Sequence, residues 1–265
     1  MAGQYFSRFW CSIVHNLPKG LAIRMLWLVL AFVIGFGVSP GRAQTASPYD
    51  MRWGPGLATV GIGGVTFALG KRASARMDLL TLAEIEALDA NDVLRVDRFA
   101  TRQRSAFAKT VSDVTGYGST LLPLALLAGA DVRDDADDLG LIYAQVAFLN
   151  NGLTALAKNT VRRTRPFVYQ RDAPLARKRN KDARRSFFSG HTSNTAANAF
   201  LTARAYSDFY PEARARPWVW TGAIVLPAVT GATRVLAGKH YWTDVLVGYA
   251  VGAGVGLLVP ALHRR

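Results

Sequence analysis

The stretch RVLAGKHYWTD, residues 234–244, places three side chains capable of chemistry between long apolar segments. Arg234 offers a planar set of donors suited to an oxyanion. His240 and Asp244 are four residues apart, so on a helix the carboxylate can accept the Nδ1 proton and leave Nε2 of the imidazole free. Because burying such groups is costly unless they are paired, the stretch is either a structural ion pair or a catalytic histidine with its orienting carboxylate.

A group of cations occurs in KNTVRRTRP, residues 158–166. Lys158, Arg162 and Arg165 recur at helical spacing, which predicts that they share one face of a helix that Pro166 ends. Three like charges on one face repel one another unless an anion lies among them. The pattern therefore indicates either a solvated basic face or an anion-binding site.

The stretch SFFSGHTS, residues 186–193, combines a predicted helix start with a histidine. Ser189 and Gly190 precede a helix that we expect to begin near Thr192. The N–H groups at a helix N-terminus bind phosphate well, and a glycine there allows close approach. His191 lies at the same point, although the stretch alone also fits an N-cap serine beside a surface histidine.

Taken together, the three stretches resemble the signature of the type-2 phosphatidic acid phosphatase superfamily. The signature is Lys–six residues–Arg-Pro, then Ser-Gly-His, then Arg–five residues–His–three residues–Asp, which here runs from residue 158 to residue 244. The superfamily also contains soluble bacterial acid phosphatases and vanadium haloperoxidases. The helical pattern of about 118–262 is similar to the family as well, and KDARRSFFSGHTS resembles a bacterial subgroup that carries an N-terminal signal.

This resemblance implies a role for each residue of the signature. His240 would be the nucleophile that forms a phosphohistidine, Asp244 would hold its tautomer, and His191 would be the general acid that protonates the leaving oxygen. Cationic side chains and helix N–H groups would bind the phosphoryl oxygens, namely those of Lys158, Arg165, Ser189, Gly190 and Arg234. Since these cations would replace Mg²⁺, we expect neither a metal nor another cofactor.

Two positions depart from the family pattern. Phe188 stands where the family usually has a proline before Ser-Gly-His, which removes a rigid turn and can alter the wall of the pocket. Thr233 stands where a serine usually precedes the arginine of the third stretch, but it keeps a hydroxyl group. Neither change removes a group that the chemistry needs.

Composition narrows the class of protein. The chain has 265 residues, half of them hydrophobic, and a formal net charge of +14. Such an excess suggests nucleic acid, anionic lipid or phosphate-bearing substrates, or the basic cytoplasmic loops of a membrane protein. With the signature, we expect a phosphorylated lipid substrate and surrounding membrane lipids as partners, and no nucleic acid. The sole cysteine, Cys11, excludes intramolecular disulfides and metal sites built on cysteine clusters.

The N-terminus has a basic region followed by the apolar run MLWLVLAFVIGFGV, residues 25–38, and then small residues at Gly41 and Ala43. This order is typical of a secretory signal cleaved before Gln44, with an uncleaved anchor as the alternative. The predicted organisation is therefore a signal or anchor at 1–43, an N-terminal segment with a short apolar helix and a polar loop at 44–117, and a phosphatase core at 118–265.

Further apolar segments lie at about 118–130, 139–157, 193–206, 218–237 and 242–262. Their period is helical and nothing alternates like a strand. Several carry Asn, Thr and Gly and fall short of the ~20 residues of a straight span, so polar side chains would face the interior of a bundle. We expect an all-α, membrane-embedded bundle of about five to six helices with the active site at one membrane face.

The basic C-terminal His-Arg-Arg predicts a cytoplasmic end, which would place the site on the periplasmic face of a bacterial inner membrane. Counting spans from the N-terminus gives the opposite side unless 54–70, which is short and rich in glycine, fails to cross. The expected function is metal-independent hydrolysis of lipid phosphate or pyrophosphate monoesters. The alternatives are a secreted non-specific acid phosphatase with the same site, a vanadium haloperoxidase and a non-catalytic basic membrane protein.

Overall fold

A computed structural model of the protein describes residues 47–265, so the predicted signal or anchor at 1–43 lies outside the described residues. Every regular element in this range is a helix, which confirms the predicted all-α class. The α-helices are α1 (Trp53–Ala75), α2 (Leu82–Glu86), α3 (Ala106–Gly118), α4 (Leu122–Ala125), α5 (Ala130–Asp134), α6 (Ala136–Val161), α7 (Leu175–Lys178), α8 (Gly190–Phe209), α9 (Arg216–Leu236) and α10 (Trp242–Ala261).

Three of the described helical segments are long and apolar enough to cross a membrane, namely Ala136–Tyr169, Arg216–Leu236 and Trp242–Ala261. Large apolar side chains cover the outward faces of the last two: Ile224 and Val225 on α9, and Leu246 and Leu258 on α10, are all exposed. Aliphatic side chains on the outside of a helical bundle are suited to lipid rather than to water. The chain is thus built as a membrane protein.

Helix α8 is the centre of the bundle, with α6, α9 and α10 packed around it. It meets α10 along a seam of small residues: a Cβ on Gly252 would lie 2.1 Å from the Ser193 carbonyl oxygen, and one on Gly256 would lie 2.4 Å from that of Ala197. Only glycine allows backbones to approach so closely, which is how apolar helices associate where the hydrophobic effect is weak. The tight seam fixes the start of α10 against the start of α8.

Helix α1 lies alongside α6, and both helices run in the same direction. Successive glycines of α1 meet successive turns of α6: Gly56 faces Gln145, Gly63 faces Leu149 and Gly70 faces Ala155. The apolar run 54–70 is therefore part of a 23-residue helix that accompanies α6 along most of its length. Both helices begin at one end of the bundle and end at the other.

The apolar segment 118–130 is not one continuous helix. Helix α3 is followed by the short helical turns Ser119–Leu121, α4, Leu126–Ala128 and α5. Pro123 lies inside this stretch and Gly129 ends one of its turns. Proline lacks the N–H that a helical hydrogen bond needs, and glycine has a low helix propensity. Together α3 and these turns run from the end of α9, where Ser105 N–H donates to the Leu236 carbonyl at 3.0 Å, to the start of α6.

The two ends of the described chain meet. Asp50 N–H donates to the His263 carbonyl at 2.8 Å, and Arg265 N–H donates to that of Pro48 at 3.1 Å. The phenol of Tyr49 is fully buried and donates to Asp208 at 3.0 Å. This clamp holds the segment that leads into α1 against the end of α10.

Candidate active site

Four helix ends converge at the end of the bundle opposite to this clamp. They are the C-terminal ends of α6 and α9 and the N-terminal ends of α8 and α10. The three predicted stretches lie at these ends, so residues separated by more than 80 positions become neighbours. The N-termini of α8 and α10 also direct their positive dipole ends towards the same place.

His240 lies two residues before α10 begins and is 1% exposed. Its Nε2 is 3.1 Å from Nη1 of Arg165, and its Nδ1 is 3.4 Å from Oδ2 of Asp244. Because a guanidinium only donates, Nε2 must be the acceptor and the proton lies on Nδ1, facing the carboxylate. Burial and the nearby charges of Arg165 and Lys158 hold the pKa of His240 well below its ordinary value. The imidazole is therefore neutral, with a lone pair on Nε2.

Asp244 is fully buried in the first turn of α10, where its carboxylate is held by several donors. Oδ2 accepts from the Tyr241 N–H at 3.0 Å and from Ser186 Oγ at 2.5 Å. Oδ1 accepts from Nη1 of Arg163 at 2.6 Å. These contacts fix the orientation of the carboxylate that faces His240.

The predicted common helix face of Lys158, Arg162 and Arg165 is wrong, because α6 ends at Val161. Arg162 takes a left-handed conformation with φ of 51° and points its guanidinium at the carbonyl oxygens of Asn159 and Ala73. It does not join the site. The chain leaves the helix four residues before Pro166, which is why the spacing rule fails.

Arg165 and Lys158 nevertheless reach the site. Arg165 is almost completely buried, donates to Asp182 through Nη2 at 2.8 Å and donates to the Lys239 carbonyl through Nη1 at 3.0 Å. Lys158, on the last turn of α6, donates to the Arg185 carbonyl at 3.0 Å. An incoming phosphate can take over Nη1 of Arg165 and Nζ of Lys158, because the backbone carbonyls that these two atoms contact carry no charge.

Helix α8 begins at Gly190, two residues before the predicted start near Thr192. Ser189 is the N-cap: its Oγ accepts from the Thr192 N–H at 3.4 Å and also bonds the Thr192 hydroxyl at 2.8 Å. The N–H of Ser189 itself donates to the Asp244 carbonyl at 3.0 Å. The donors that α8 offers to an anion are therefore those of its first turn after Ser189, beginning with Gly190.

His191 and Arg234 share a carboxylate that the signature does not contain. Oδ1 of Asp113, on α3, lies 2.9 Å from Nη1 of Arg234 and 3.2 Å from Nε2 of His191. Burial and the charge of Arg234 lower the pKa of His191 to about 4, while Asp113 opposes this. Burial alone would favour a neutral Asp113, but the nearby His191, the hydrogen bond from Lys109 and the charge of Arg234 hold its pKa well below the ordinary value.

The two departures from the family pattern are both accommodated. Phe188 is buried, with its ring edge-on to that of Phe187 at a centroid distance of 6.1 Å. The Thr233 hydroxyl donates to the carbonyls of Val229 and Thr230 at 2.8 and 2.9 Å, so it serves its own helix.

Sequence reasoning missed Asp97, Asp113, Arg163 and Asp182, all of which contact a residue of the signature or its network. Asp97 and Asp113 belong to the segment 44–117, so this segment packs into the site and contributes charge to it. A usable signal existed only for Arg163 and Asp182, which lie near the signature in a region dominated by cations. No group of three or more His, Cys, Asp or Glu side chains suited to a metal occurs among residues 47–265.

Comparisons with known proteins identify the family. The model of the PAP2 superfamily matches residues 139–265. Decaprenylphosphoryl-5-phosphoribose phosphatase of Mycobacterium tuberculosis (strain ATCC 25618 / H37Rv) is 33% identical over 123 residues, which is 46% of this chain and 60% of that protein. The chain thus spans less than two thirds of the mycobacterial relative.

Phosphatidylglycerophosphatase B of Bacillus subtilis (strain 168) is 31% identical over 154 residues, covering 57% of this chain and 71% of that protein. A crystal structure of a transmembrane PAP2 type phosphatidylglycerolphosphate phosphatase from Bacillus subtilis covers 91% of this chain and 94% of its own, with 18% identity and a TM-score of 0.37. The family match and the identity to the Bacillus enzyme, together with the site geometry, show that this chain belongs to the PAP2 superfamily.

Proposed function

We propose that the protein is a phosphatase that hydrolyses lipid phosphate or pyrophosphate monoesters through a phosphohistidine on His240. The observation that carries this proposal is the neutral His240, whose Nε2 lone pair lies 3.1 Å from a guanidinium donor of Arg165. A merely structural ion pair does not need a histidine whose acceptor nitrogen points into a group of cations. A nucleophile for phosphorus needs both features.

The chemistry follows from these contacts. The Nε2 lone pair of His240 attacks phosphorus, and Arg165 turns its N–H from Nε2 to a phosphoryl oxygen. The bond from phosphorus to the leaving oxygen breaks, and that oxygen takes a proton from His191. Water then attacks the phosphohistidine, giving its proton to His191 and releasing phosphate and the free imidazole. Asp244 stabilises the charge that develops on the imidazole in both steps.

The lipid class of substrate is supported by two features. The curated relatives are named for phosphatases of lipid-linked or phospholipid substrates. The helices that bring Lys158, Arg234 and Asp244 to the site are also the three candidate membrane spans, so a lipid tail can stay in the bilayer while its head group reaches the site. Binding energy from the tail, away from the reacting atoms, then favours long-chain lipids over water-soluble monoesters.

A phosphate-release screen of the purified protein tests this proposal. The panel is phosphatidic acid, phosphatidylglycerol phosphate, undecaprenyl pyrophosphate and lipid A, with glycerol phosphate as the water-soluble comparison and His240→Ala as the inactive control. We expect release from at least one lipid, a higher kcat/KM than on glycerol phosphate, and inhibition by vanadate. Equal efficiency on glycerol phosphate would favour a non-specific acid phosphatase.

We also propose that the site faces the periplasm of a bacterial inner membrane, because the C-terminal tail is basic and lies at the other end of the bundle. A reporter inserted after Arg185, in the loop before α8, tests this orientation. Alkaline phosphatase is active only outside the cytoplasm, so activity of this fusion is the expected result. If a second reporter, one that works only in the cytoplasm, is active at the same position, the proposed orientation is wrong.

A further inference from the structure

Arg163 lies within the first stretch of the signature, but no fixed position of the signature falls on it. Its guanidinium bridges two carboxylates whose side chains are both 0% exposed. Nη1 lies 2.6 Å from Asp244 Oδ1, and Nη2 lies 2.8 Å from Asp97 Oδ2. Two buried carboxylates therefore share one cation, and a buried charge without a partner is strongly unfavourable.

Asp97 is itself anchored to α10. It accepts from the Thr243 N–H at 3.1 Å and from the Thr243 hydroxyl at 2.6 Å. Thr243 directly precedes Asp244, and its Oγ1 also contacts Arg163 Nη1 at 2.7 Å. The segment that carries Asp97 is thus tied to the helix start that presents the carboxylate to His240.

The Arg163 guanidinium also packs on an aromatic ring. Its central carbon lies 4.0 Å over the centre of the Tyr241 ring, which is a cation–π contact. With Nη2 directed at Asp97, Nη1 donates to both Thr243 Oγ1 and Asp244 Oδ1. The other oxygen of Asp244 is then the one that faces Nδ1 of His240.

We propose that Arg163 and Asp97 are positioning residues that act through Asp244 to hold the nucleophile His240 in its reactive tautomer. This proposal rests on the proposed phosphatase activity. Neither residue touches the reacting phosphate: Arg163 lies behind Asp244, on the side away from His240. Their loss should therefore reduce the rate of the chemical step and leave the binding of phosphate unchanged.

The first test is Arg163→Gln, with wild type and His240→Ala assayed in parallel on a lipid that the wild type hydrolyses. We expect kcat to fall ~10–100-fold, the usual effect of removing a group that orients a reactive side chain. The inhibition constant of inorganic phosphate should stay within about twofold. A purely structural role would weaken phosphate binding together with kcat, and an unchanged kcat would overturn the proposal.

The second test is a double-mutant cycle with Asp244→Asn. If Arg163 works through Asp244, Arg163→Gln should cost less than about threefold in kcat when Asp244 is already replaced, because the two residues act as one unit. Full additivity of the two losses would mean that Arg163 acts independently of Asp244. That result would overturn the inference even though the protein remained a phosphatase.

Arg162→Gln is the matched control. It removes the same charge one position earlier, from a guanidinium that contacts only backbone carbonyls outside the site, so kcat should stay near that of wild type. Arg163→Lys keeps the charge without the planar fork and should restore only part of the activity. If Arg163→Gln does not fold, the isosteric Asp97→Asn takes its place in both tests. A wild type that releases no phosphate from any lipid would instead refute the proposed function.

Discussion

Replacing Asp113 by Asn tests whether this carboxylate helps to keep His191 protonated. The change keeps the size of the side chain and removes the carboxylate that lies 3.2 Å from His191 Nε2. Burial and Arg234 already lower the pKa of His191 to about 4, and Asp113 is the group that raises it. Without Asp113 the pKa falls further, so a smaller fraction of His191 carries the proton that an alkoxide leaving group needs.

The size of the effect follows from the distance. Two unit charges at this separation interact by ~1.3 kcal/mol in bulk water and by ~5 kcal/mol at an effective dielectric constant of about 20. Lys109 and Arg234 each lie 2.9 Å from Asp113 and offset part of its charge at His191, so we take the lower value. A change of ~1.3 kcal/mol is about one pKa unit, or a tenfold change in the protonated fraction above the pKa.

The assay compares kcat/KM of wild type and Asp113→Asn on a lipid monoester and on p-nitrophenyl phosphate between pH 4 and pH 7. We expect about a tenfold loss on the lipid at pH 6–7 and a much smaller loss on the aryl ester, whose leaving group is a stable anion. As the pH falls towards 4, wild-type His191 approaches full protonation while the protonated fraction in the variant still rises. The loss of kcat/KM of the variant on the lipid should therefore become smaller there. Ionisation of the substrate affects both proteins equally, so it cancels when kcat/KM of the variant is divided by that of wild type.

Asp113 also contacts Arg234, at 2.9 Å. Loss of that contact alters the binding of every phosphate ester alike, so the ratio of the two substrates reports on His191 alone. An equal loss on both esters at every pH would refute the reasoning, because it would show that Asp113 acts through Arg234 and not through the proton on His191.

Three further predictions test other parts of the structure. His240→Ala should be inactive on every ester, whereas His191→Ala should lose ~10²–10⁴-fold on lipid monoesters and much less on p-nitrophenyl phosphate, as measured by kcat/KM of folded variants. Phosphate release should persist in EDTA, and a loss that Mg²⁺ restores would refute the assignment of the cations. Gly152→Ala should lower the melting temperature, because its Cβ would lie 2.4 Å from the Gly63 carbonyl and overpacking costs roughly 1–3 kcal/mol. Gly140→Ala in the same helix, where nothing lies within 4 Å, should be neutral or stabilising.

The all-α class could be predicted because it depends on local periodicity, which the sequence displays directly. The proximity of Lys158, His191 and His240 could not come from periodicity, and it was expected only through the resemblance to a family. The failures have local causes. The shared helix face of Lys158 and Arg162 assumed that α6 continues to Pro166, but the helix ends at Val161, and a spacing rule holds only within one helix.

Asp97 and Asp113 were missed for a different reason. Each lies in a stretch of mixed charge that resembles any exposed loop or helix, and nothing local distinguishes it from acidic neighbours such as Asp92. Their importance arises from tertiary contacts with Arg163 and Arg234, which lie more than 60 positions away. Only the packing of α3 and the segment before it against α9 and α10 brings these charges together.

The pairing of Tyr49 with Arg264 has a consequence for how the protein is inserted. Residues 47–52 and the C-terminal tail lie at one end of the bundle, and His240 lies at the other. In a bundle that crosses a bilayer, a secretory signal that carried residue 47 out of the cytoplasm would carry the tail out as well and turn the site inward. A residue 47 outside the cytoplasm and a periplasmic site therefore exclude each other. One reporter fused after Arg265 determines the side of the tail and of residues 47–52 and, by exclusion, the compartment from which the phosphate-bearing head group arrives.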